Sequence, residues 1–398
     1  MRFLIVSENF TGLQPWLYHD QEPRGMPAVY NLFKYLGSSS EHSFDAVIFN
    51  KKVNRVIHLP NGSTIHLYKL WCPIHYLWKF LSFVKAYSLV RNKLKSKDYD
   101  LIYTMSFYNL LGSIVGRQTD IFTLSRTYGN QMYASVENRQ YWKIYTRYIF
   151  VALAFRYPAD LTIVTKDGTQ SLKLAAFFNP RHKVYSLYNG IDAQMKKDLL
   201  AIPEVEILKS SSRLRMVCIA RLDKKKRQDL AIGMMEQLVH KLGMENVQLD
   251  LIGEGSQKGR LSTLIKRKKL EDYVRIMPAV PHRKIPATIS QYDICLFCYD
   301  KGVMGNILWE CMLGGRLILV RASGDASIFN NENAIKVEDS PRFEEEASAA
   351  VASLVGKNVR QTCKNSRKLA DKLILDWEKR FELELDIIAK ERQKTANV

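Results

Sequence analysis

The sequence lacks an apolar run long enough to cross a bilayer. The longest, YIFVALAF at 148–155, has eight residues, whereas a transmembrane helix needs about 20. The opening MRFLIV is too short for a secretory signal and leads directly into the polar residues SEN. These absences predict a cytoplasmic protein.

The sequence also has few cysteines and no glycine motif for binding a dinucleotide. Of the six cysteines, only Cys295 and Cys298 have metal-ligand spacing, and no second Cys/His pair follows them. Both lie in DICLFCY, a predicted buried strand, which favours ordinary buried thiols. No G-x-G-x-x-G follows the first strand of either half, so neither a nicotinamide nor a flavin is supported. We expect neither a metal site nor a cofactor.

Acidic residues are scarce relative to basic ones. The 398 residues include 40 Asp and Glu against 59 Lys and Arg, for a net charge of +19. This balance favours polyanionic partners: nucleic acid, an anionic membrane surface or phosphorylated substrates. Apolar residues make up 46% and charged residues 25%, as in an ordinary soluble globular protein, and the length suggests two domains of roughly 200 residues each.

Short apolar runs rich in β-branched residues alternate with longer segments of helical period. The runs predict strands at 3–6, 46–49, 101–104, 121–124, 161–164, 184–187, 215–220, 247–253, 274–277, 294–298 and 316–320. Helical patterns lie between them, at 229–242 and 259–270 among others. Strands buried on both faces and separated by helices predict an α/β protein with two doubly wound parallel-sheet domains.

The periodicity also predicts the domain limits. It is lost over 201–213, and the preceding YNGID turn at 188–192 is a natural end for the first domain. We therefore predict one domain over 1–190 and a second over 191–376. The final segment, 377–398, reads as an amphipathic helix that can return to the first domain.

Basic and glycine-rich loops follow two strands of the second half. In ARLDKKKRQDL (220–230), Arg221 directly follows a strand, where we expect it to be held in place for a ligand. Guanidinium and ammonium groups suit a diphosphate, although a solvated charged turn is the favoured interpretation of Lys224 and Lys225. In LIGEG (251–255), glycines allow close approach of a ligand or simply form a tight turn.

The stretch MGNILWECMLGG (304–315) predicts a helix with one carboxylate, Glu310, among apolar residues. The helix begins at Gly305-Asn306, where backbone N–H groups such as those of Ile307 and Leu308 form an anion site. Glu310, one turn further on, could accept two ribose hydroxyls. The alternative is a core carboxylate paired with Arg or Lys, and periodicity does not separate the two.

These motifs, in this order, resemble the retaining glycosyltransferases of family 4. ADLTIVTKDG (159–168), YNGID, ARLDKKKRQDL, LIGEG and MGNILWECMLGG are similar to that family's conserved segments over nearly the whole chain. The resemblance implies the GT-B fold, in which two Rossmann-like domains face each other across a cleft. It assigns diphosphate binding to Arg221 and Lys226 and ribose binding to Glu310. The implied donor-binding positions are Gly253, Gly255, Met304, Gly305, Asn306, Ile307, Leu308 and, from a glycine loop near the start, Gly25.

The sequence departs from the family where the donor sugar would bind. Gly302 stands where a sugar-contacting Glu is expected, and Asp300 is a nearby substitute. Tyr128-Gly129 replaces the usual His-Gly. In the aromatic loop at 9–25, Trp16 and Tyr18 could stack on an acceptor sugar or simply pack the loop down.

The resemblance implies metal-independent transfer of a hexose with retention, from a UDP- or GDP-linked sugar to a saccharide or lipid-linked acceptor, in surface polysaccharide or glycolipid biosynthesis. An alternative with the same fold is a sugar-nucleotide epimerase. A basic nucleic-acid binder is another, but no recognition module supports it, so we expect no nucleic-acid partner.

The segment 69–97 carries seven Lys and Arg and no Asp or Glu, interleaved with aromatic residues. Two interpretations remain open. It could be a helix lying on an anionic membrane, which would make the protein peripheral on the inner face, or a core helix with a solvated basic edge.

Overall fold

The computed structural model describes residues 1–23, 25–129, 132–208, 213–300, 304–323 and 326–396. They form two compact units. The N-terminal unit contains Met1–Lys166, Gln170–Asn189 and the final helix from Trp377, and the C-terminal unit contains Asp167–Thr169 and Gly190–Asp376.

The N-terminal unit is an eight-stranded sheet covered by helices. Its strands are β1 (Arg2–Ser7), β2 (Ser43–Asn50), β3 (Arg55–His58), β4 (Thr64–Lys69), β5 (Leu101–Met105), β6 (Phe122–Thr127), β7 (Leu161–Thr165) and β8 (Val184–Leu187). Its helices include α1 (Gln14–His19), α2 (Pro27–Gly37), α3 (His75–Ser96), α4 (Asn109–Gly116), α5 (Met132–Glu137), α6 (Tyr141–Arg147), α7 (Ile149–Arg156) and α8 (Ser171–Phe178). The strand order is β3-β4-β2-β1-β5-β6-β7-β8, and only the β3–β4 pair is antiparallel.

The C-terminal unit is a parallel six-stranded sheet in the order β11-β10-β9-β12-β13-β14. Its strands are β9 (Leu214–Ile219), β10 (Val247–Ile252), β11 (Val274–Met277), β12 (Ile294–Phe297), β13 (Leu317–Ala322) and β14 (Ile335–Glu338). Its helices are α9 (Ala193–Leu200), α10 (Gln228–Glu236), α11 (Lys258–Arg267), α12 (Ile285–Ile289), α13 (Asn306–Leu313), α14 (Phe343–Leu354) and α15 (Arg360–Leu373). The last helix, α16 (Trp377–Ala396), belongs to the N-terminal unit.

The predicted class of two doubly wound α/β domains is confirmed. In β1, Phe3 and Ile5 pack into the layer formed with α2 and α16, while Leu4 and Val6 pack into the opposite layer with α3 and α4. Successive side chains of a strand point to opposite faces. A run such as FLIV is therefore uniformly apolar because both faces are covered.

Three strands differ from the prediction because they lie at sheet edges or carry polar residues. They are β3, β4 and β14, for which the residue pattern predicts no strand. In β3, exposed and half-buried residues alternate, and the residues of β4 include Thr64, His66 and Lys69. The predicted helix at 229–242 is α10, which continues as a π-helical turn at Gln237–Lys241.

A buried ion network attaches α16 to the N-terminal sheet. Glu384 is 2% exposed and accepts a 2.6 Å hydrogen bond from the hydroxyl of Tyr103 on β5. Its Oε2 lies 2.8 Å from Nη1 of Arg380 and 3.7 Å from Nε of Arg126 on β6. Nε of Arg380 also donates to the Tyr188 carbonyl at 2.7 Å. One buried carboxylate therefore lies beside two guanidinium groups.

No helix in the described ranges is both long enough and apolar enough to span a membrane.

Candidate functional site

The candidate site begins where β10, β9 and β12 end side by side in the C-terminal sheet. The Leu222 N–H, just after β9, donates to the Glu254 carbonyl at 2.9 Å. A Cβ atom added at Gly253 would overlap the Ala220 carbonyl oxygen, and one at Gly255 would overlap that of Leu222. These glycines therefore let the two loops meet, while their contact with a donor stays a prediction.

The basic loop after β9 contains one half-buried lysine beside two exposed ones. The Arg221 side chain is 84% exposed, and its nearest carboxylate, that of Asp223, lies 3.6 Å away, so the strand end does not hold it in place as we expected. Lys224 and Lys225 are also exposed, as in a solvated turn. Lys226 turns inward instead, and burial lowers the pKa of its ammonium group. The inward position makes Lys226 the preorganised cation of this loop.

Lys226 rests on an aromatic ring that the sequence analysis did not single out. Its Nζ lies 3.7 Å from the ring centroid of Tyr299, which is 3% exposed and follows β12. This is a cation–π contact in desolvated surroundings. Tyr299 therefore holds the Lys226 ammonium group in position at the carboxyl ends of the strands.

The next residue, Asp300, is already engaged by two guanidinium groups. Its Oδ1 lies 2.8 Å from Nη1 of Arg321 and 3.2 Å from Nη1 of Arg227. This pairing neutralises the Asp300 carboxylate. The geometry therefore does not favour the prediction that Asp300 contacts the donor sugar in place of the missing Glu. Gly302, where that Glu was expected, lies outside the described residues.

The helix α13 begins as predicted, with Gly305 as its extended N-cap. Two backbone N–H groups at this end of the helix are used within the unit, and one of them, that of Leu308, was expected to face an anion. That of Met304 donates to the Asp167 carbonyl at 2.8 Å, and that of Leu308 donates to the Gly305 carbonyl at 3.0 Å. Anion binding at the start of α13 stays a prediction.

Glu310 on α13 is 3% exposed, and its partner is neither Arg nor Lys. Its Oε1 lies 2.7 Å from Nε2 of His282, in the 3₁₀ turn His282–Lys284 before α12. The hydrogen bond to Glu310 raises the pKa of His282. Sequence spacing could not identify this pair, because 28 residues separate its members.

In the N-terminal unit, the predicted acceptor-side residues pack against their own neighbours. Trp16 lies in α1 and not in a loop as predicted, and its ring lies 5.1 Å from that of Tyr30 on α2 in a T-shaped contact. The Arg126 guanidinium lies 4.6 Å from the Tyr128 ring centroid. A Cβ at Gly12 would overlap the backbone of Gly25, so that close contact closes the loop. Sugar contacts at Trp16, Tyr128 and Gly25 remain predictions.

Comparisons with known proteins agree with this architecture. Residues 213–356 match the model of a family described as Glycosyl transferases group 1. Sucrose-phosphate synthase from Thermosynechococcus elongatus is 16% identical with a TM-score of 0.69, covering 100% of both chains. HepE from Anabaena in complex with UDP is 15% identical with a TM-score of 0.68, covering 98% of this chain and 100% of that one.

A third solved structure is the lipopolysaccharide outer core galactosyltransferase WaaB, in its apo form. It is 13% identical with a TM-score of 0.67, covering 96% of this chain and 98% of that one. No curated protein matches the sequence. The chain therefore has the fold of GT-B glycosyltransferases and carries a glycosyltransferase group 1 domain over residues 213–356.

Proposed function

We propose that this protein is a retaining glycosyltransferase of family 4 that moves a hexose from a nucleotide-diphosphate sugar to a saccharide or lipid-linked acceptor in surface polysaccharide or glycolipid biosynthesis. One observation carries the proposal. A carboxylate that is 3% exposed, Glu310, lies on a helix within the matched domain and has no Arg or Lys partner among the described residues. A buried carboxylate of this kind suits a ligand rich in hydroxyl groups.

The proposed chemistry depends on positive charge at the leaving group. Breaking the anomeric bond develops negative charge on the nucleoside diphosphate. Lys226, already oriented on Tyr299, would stabilise that charge more in the transition state than in the ground state. The Arg221 side chain is exposed and can change its rotamer to contact the same phosphates. These side chains supply what a divalent cation supplies in other transferases, so the proposed reaction is metal-independent.

Retention would follow from front-side attack by the acceptor hydroxyl on an oxocarbenium-like sugar. This course differs from that of the retaining glycosidases, which use two carboxylates about 5 Å apart. It therefore requires the protein to hold the leaving diphosphate, which is the role that we propose for Lys226.

A thermal-shift panel of UDP-, GDP- and ADP-sugars tests the donor class. The Anabaena HepE structures are described with UDP, glucose and UDP-glucose, so we expect UDP-sugars to respond first. A ligand at 100 times its Kd stabilises by about 2.7 kcal/mol, which corresponds to a midpoint rise of roughly 5–10 °C for a unit of this size.

The panel has two controls. Single-stranded RNA should give no shift, since a nucleic-acid binder would respond to it and not to sugar nucleotides. Incubation with the donor alone should leave the donor sugar unchanged, because an epimerase would convert it without an acceptor. Absence of a shift with every sugar nucleotide would contradict the proposal.

An exposed aromatic face in the N-terminal unit supports peripheral membrane contact, and with it a lipid-linked acceptor. The helix α3 packs on the sheet through one face, where Ser82, Ala86 and Val90 are buried, and its other face is exposed. The rings of Phe83 on α3 and Phe150 on α7 lie 5.2 Å apart and join the two helices. We define the aromatic face by its exposed residues, Trp71, Ile74, Tyr76, Leu77, Phe80, Val84, Trp142, Tyr145, Ile149 and Leu153.

The aromatic face has basic residues beside it. Lys85 and Lys95 on α3 and Arg147 on α6 are exposed. Aromatic side chains insert at the headgroup level of a bilayer, and each nearby Lys or Arg adds about 1 kcal/mol on an anionic surface. We therefore propose an anionic bilayer as the partner of this face.

We expect co-sedimentation with anionic but not with neutral vesicles. The double variant Phe80→Glu with Trp142→Glu should lose most of this binding, because each exchange places a carboxylate at the face. The matched control is Met277→Glu, since Met277 is an exposed hydrophobic residue of the C-terminal unit. Equal binding to both kinds of vesicle, or equal loss in the control, would remove the membrane proposal.

A further inference from the structure

His282 is the one group that contacts the Glu310 carboxylate in the part of the chain that the structure describes. Its Nε2 lies 2.7 Å from Oε1. Oε2 has no partner among the same residues. The two side chains differ in exposure, at 60% for His282 and 3% for Glu310. The pair therefore joins an exposed imidazole to a buried carboxylate.

A single-donor partner is an unusual solution for a buried carboxylate. An arginine would engage both oxygens in a fixed fork, and a lysine would neutralise the charge permanently. The imidazole makes one bond to one oxygen and leaves the rest of the carboxylate available. Burial without full pairing costs free energy in the unliganded protein. A ligand that supplies the missing donors would remove that cost.

We propose that His282 is a positioning residue that holds Oε1 of Glu310 so that the carboxylate can accept both hydroxyls of the ribose diol of the bound nucleotide. This inference rests on the proposed function. Two neighbouring hydroxyls are bound best by a carboxylate whose plane is fixed, and the 2.7 Å bond to Nε2 fixes it. His282 would then act on the nucleotide only through Glu310.

The charges around His282 favour its protonated form. Glu310 from α13 and Asp192 at the start of α9 both raise its pKa, while Arg283 and Lys284 share its own turn. The charge-assisted bond is complete below the pKa of His282 and weakens as pH rises through it, because a neutral imidazole makes a weaker hydrogen bond. Ribonucleotide affinity should therefore fall with rising pH.

Calorimetric titration with UDP, GDP and ADP and with their 2′,3′-dideoxy counterparts tests the inference. For the nucleotide that binds, His282→Ala should raise the Kd about tenfold, the equivalent of one charge-assisted hydrogen bond. The same variant should leave the Kd of the dideoxy nucleotide unchanged, since that ligand lacks the diol. His282→Gln retains an N–H donor, so it should keep most of the affinity and lose the pH dependence.

Lys284→Ala is the matched control, because Lys284 is exposed in the same turn and does not contact Glu310. Equal weakening of ribo- and dideoxynucleotide by His282→Ala would overturn the inference, since His282 would then contact the base or the phosphates directly. An unchanged Kd of His282→Ala for the ribonucleotide would also overturn the inference. In that case, the Kd of Glu310→Ala for the ribonucleotide would still test whether Glu310 binds the ribose. Failure of the unaltered protein to bind any nucleoside diphosphate would instead overturn the proposed function.

Discussion

Replacing Lys226 with methionine should lower the rate of sugar transfer by about a hundredfold to a thousandfold. Methionine keeps the length and the apolar packing on Tyr299 but removes the charge. Loss of one preorganised donor that faces developing negative charge typically costs this much. Lys226 is half-buried, and its ammonium group lies 3.7 Å from the Tyr299 ring centroid, so it is held in a position that a solvent molecule would not keep. The measurement is kcat with a saturating donor.

The matched control is Lys224→Met, two residues away in the same turn and exposed. It should retain nearly all activity, because a solvated lysine contributes little to a fixed site. Since burial lowers the pKa of Lys226, activity should also fall as pH rises through that lowered value. Equal activity of the two methionine variants would refute the role given to Lys226.

Replacing Glu384 with alanine should lower the free energy of unfolding of the N-terminal unit by about 3–5 kcal/mol, the usual cost of removing one partner of a buried ion pair. The change leaves Arg126 and Arg380, 2% and 3% exposed, without their carboxylate. It also takes the acceptor from the Tyr103 hydroxyl. Urea denaturation followed by tryptophan fluorescence and far-ultraviolet circular dichroism measures the effect.

Glu382→Ala is the control on the same helix, because Glu382 is exposed and its loss should change stability little. Burial by itself would raise the pKa of Glu384, but Arg380 and Arg126 hold it below its ordinary value. Its contribution is therefore present at neutral pH and is lost as pH falls through the folded-state pKa. A loss of under about 1 kcal/mol in Glu384→Ala would show that the ion network does not stabilise the unit.

The sequence predicts most strands of both sheets, including the edge strands β8 and β11, but does not predict β3, β4 or β14. A run such as FLIV is apolar because helices cover both faces of the sheet, and that burial is visible in composition alone. In β4, which lies next to the edge strand β3, TIHLYK alternates because one face is less covered. The pattern of β4 is as compatible with a loop as with a strand.

The candidate site also has residues that the sequence predicts and residues that it does not. Glu310 stands out locally as an isolated carboxylate, whereas Lys226 is assigned only by the resemblance to the family's motif. Their partners, Tyr299 and His282, contact them from distant segments, through contacts that exist only once β9, β12 and α13 are assembled. Gly253 and Gly255 differ from these residues. Their motif is visible in the local sequence, but the reason for glycine at both positions is the close approach of the neighbouring loop after β9.

The return of α16 to the N-terminal unit has a consequence for biosynthesis. The chain leaves that unit at Asn189 and supplies its last helix only after the C-terminal unit has been made. Until then, Tyr103 and Arg126 lack Glu384, and the face of α2 that packs on Phe381 is uncovered. On the ribosome, the second unit can therefore finish folding before the first. Premature termination of translation before α16 would leave an N-terminal unit with an uncovered core.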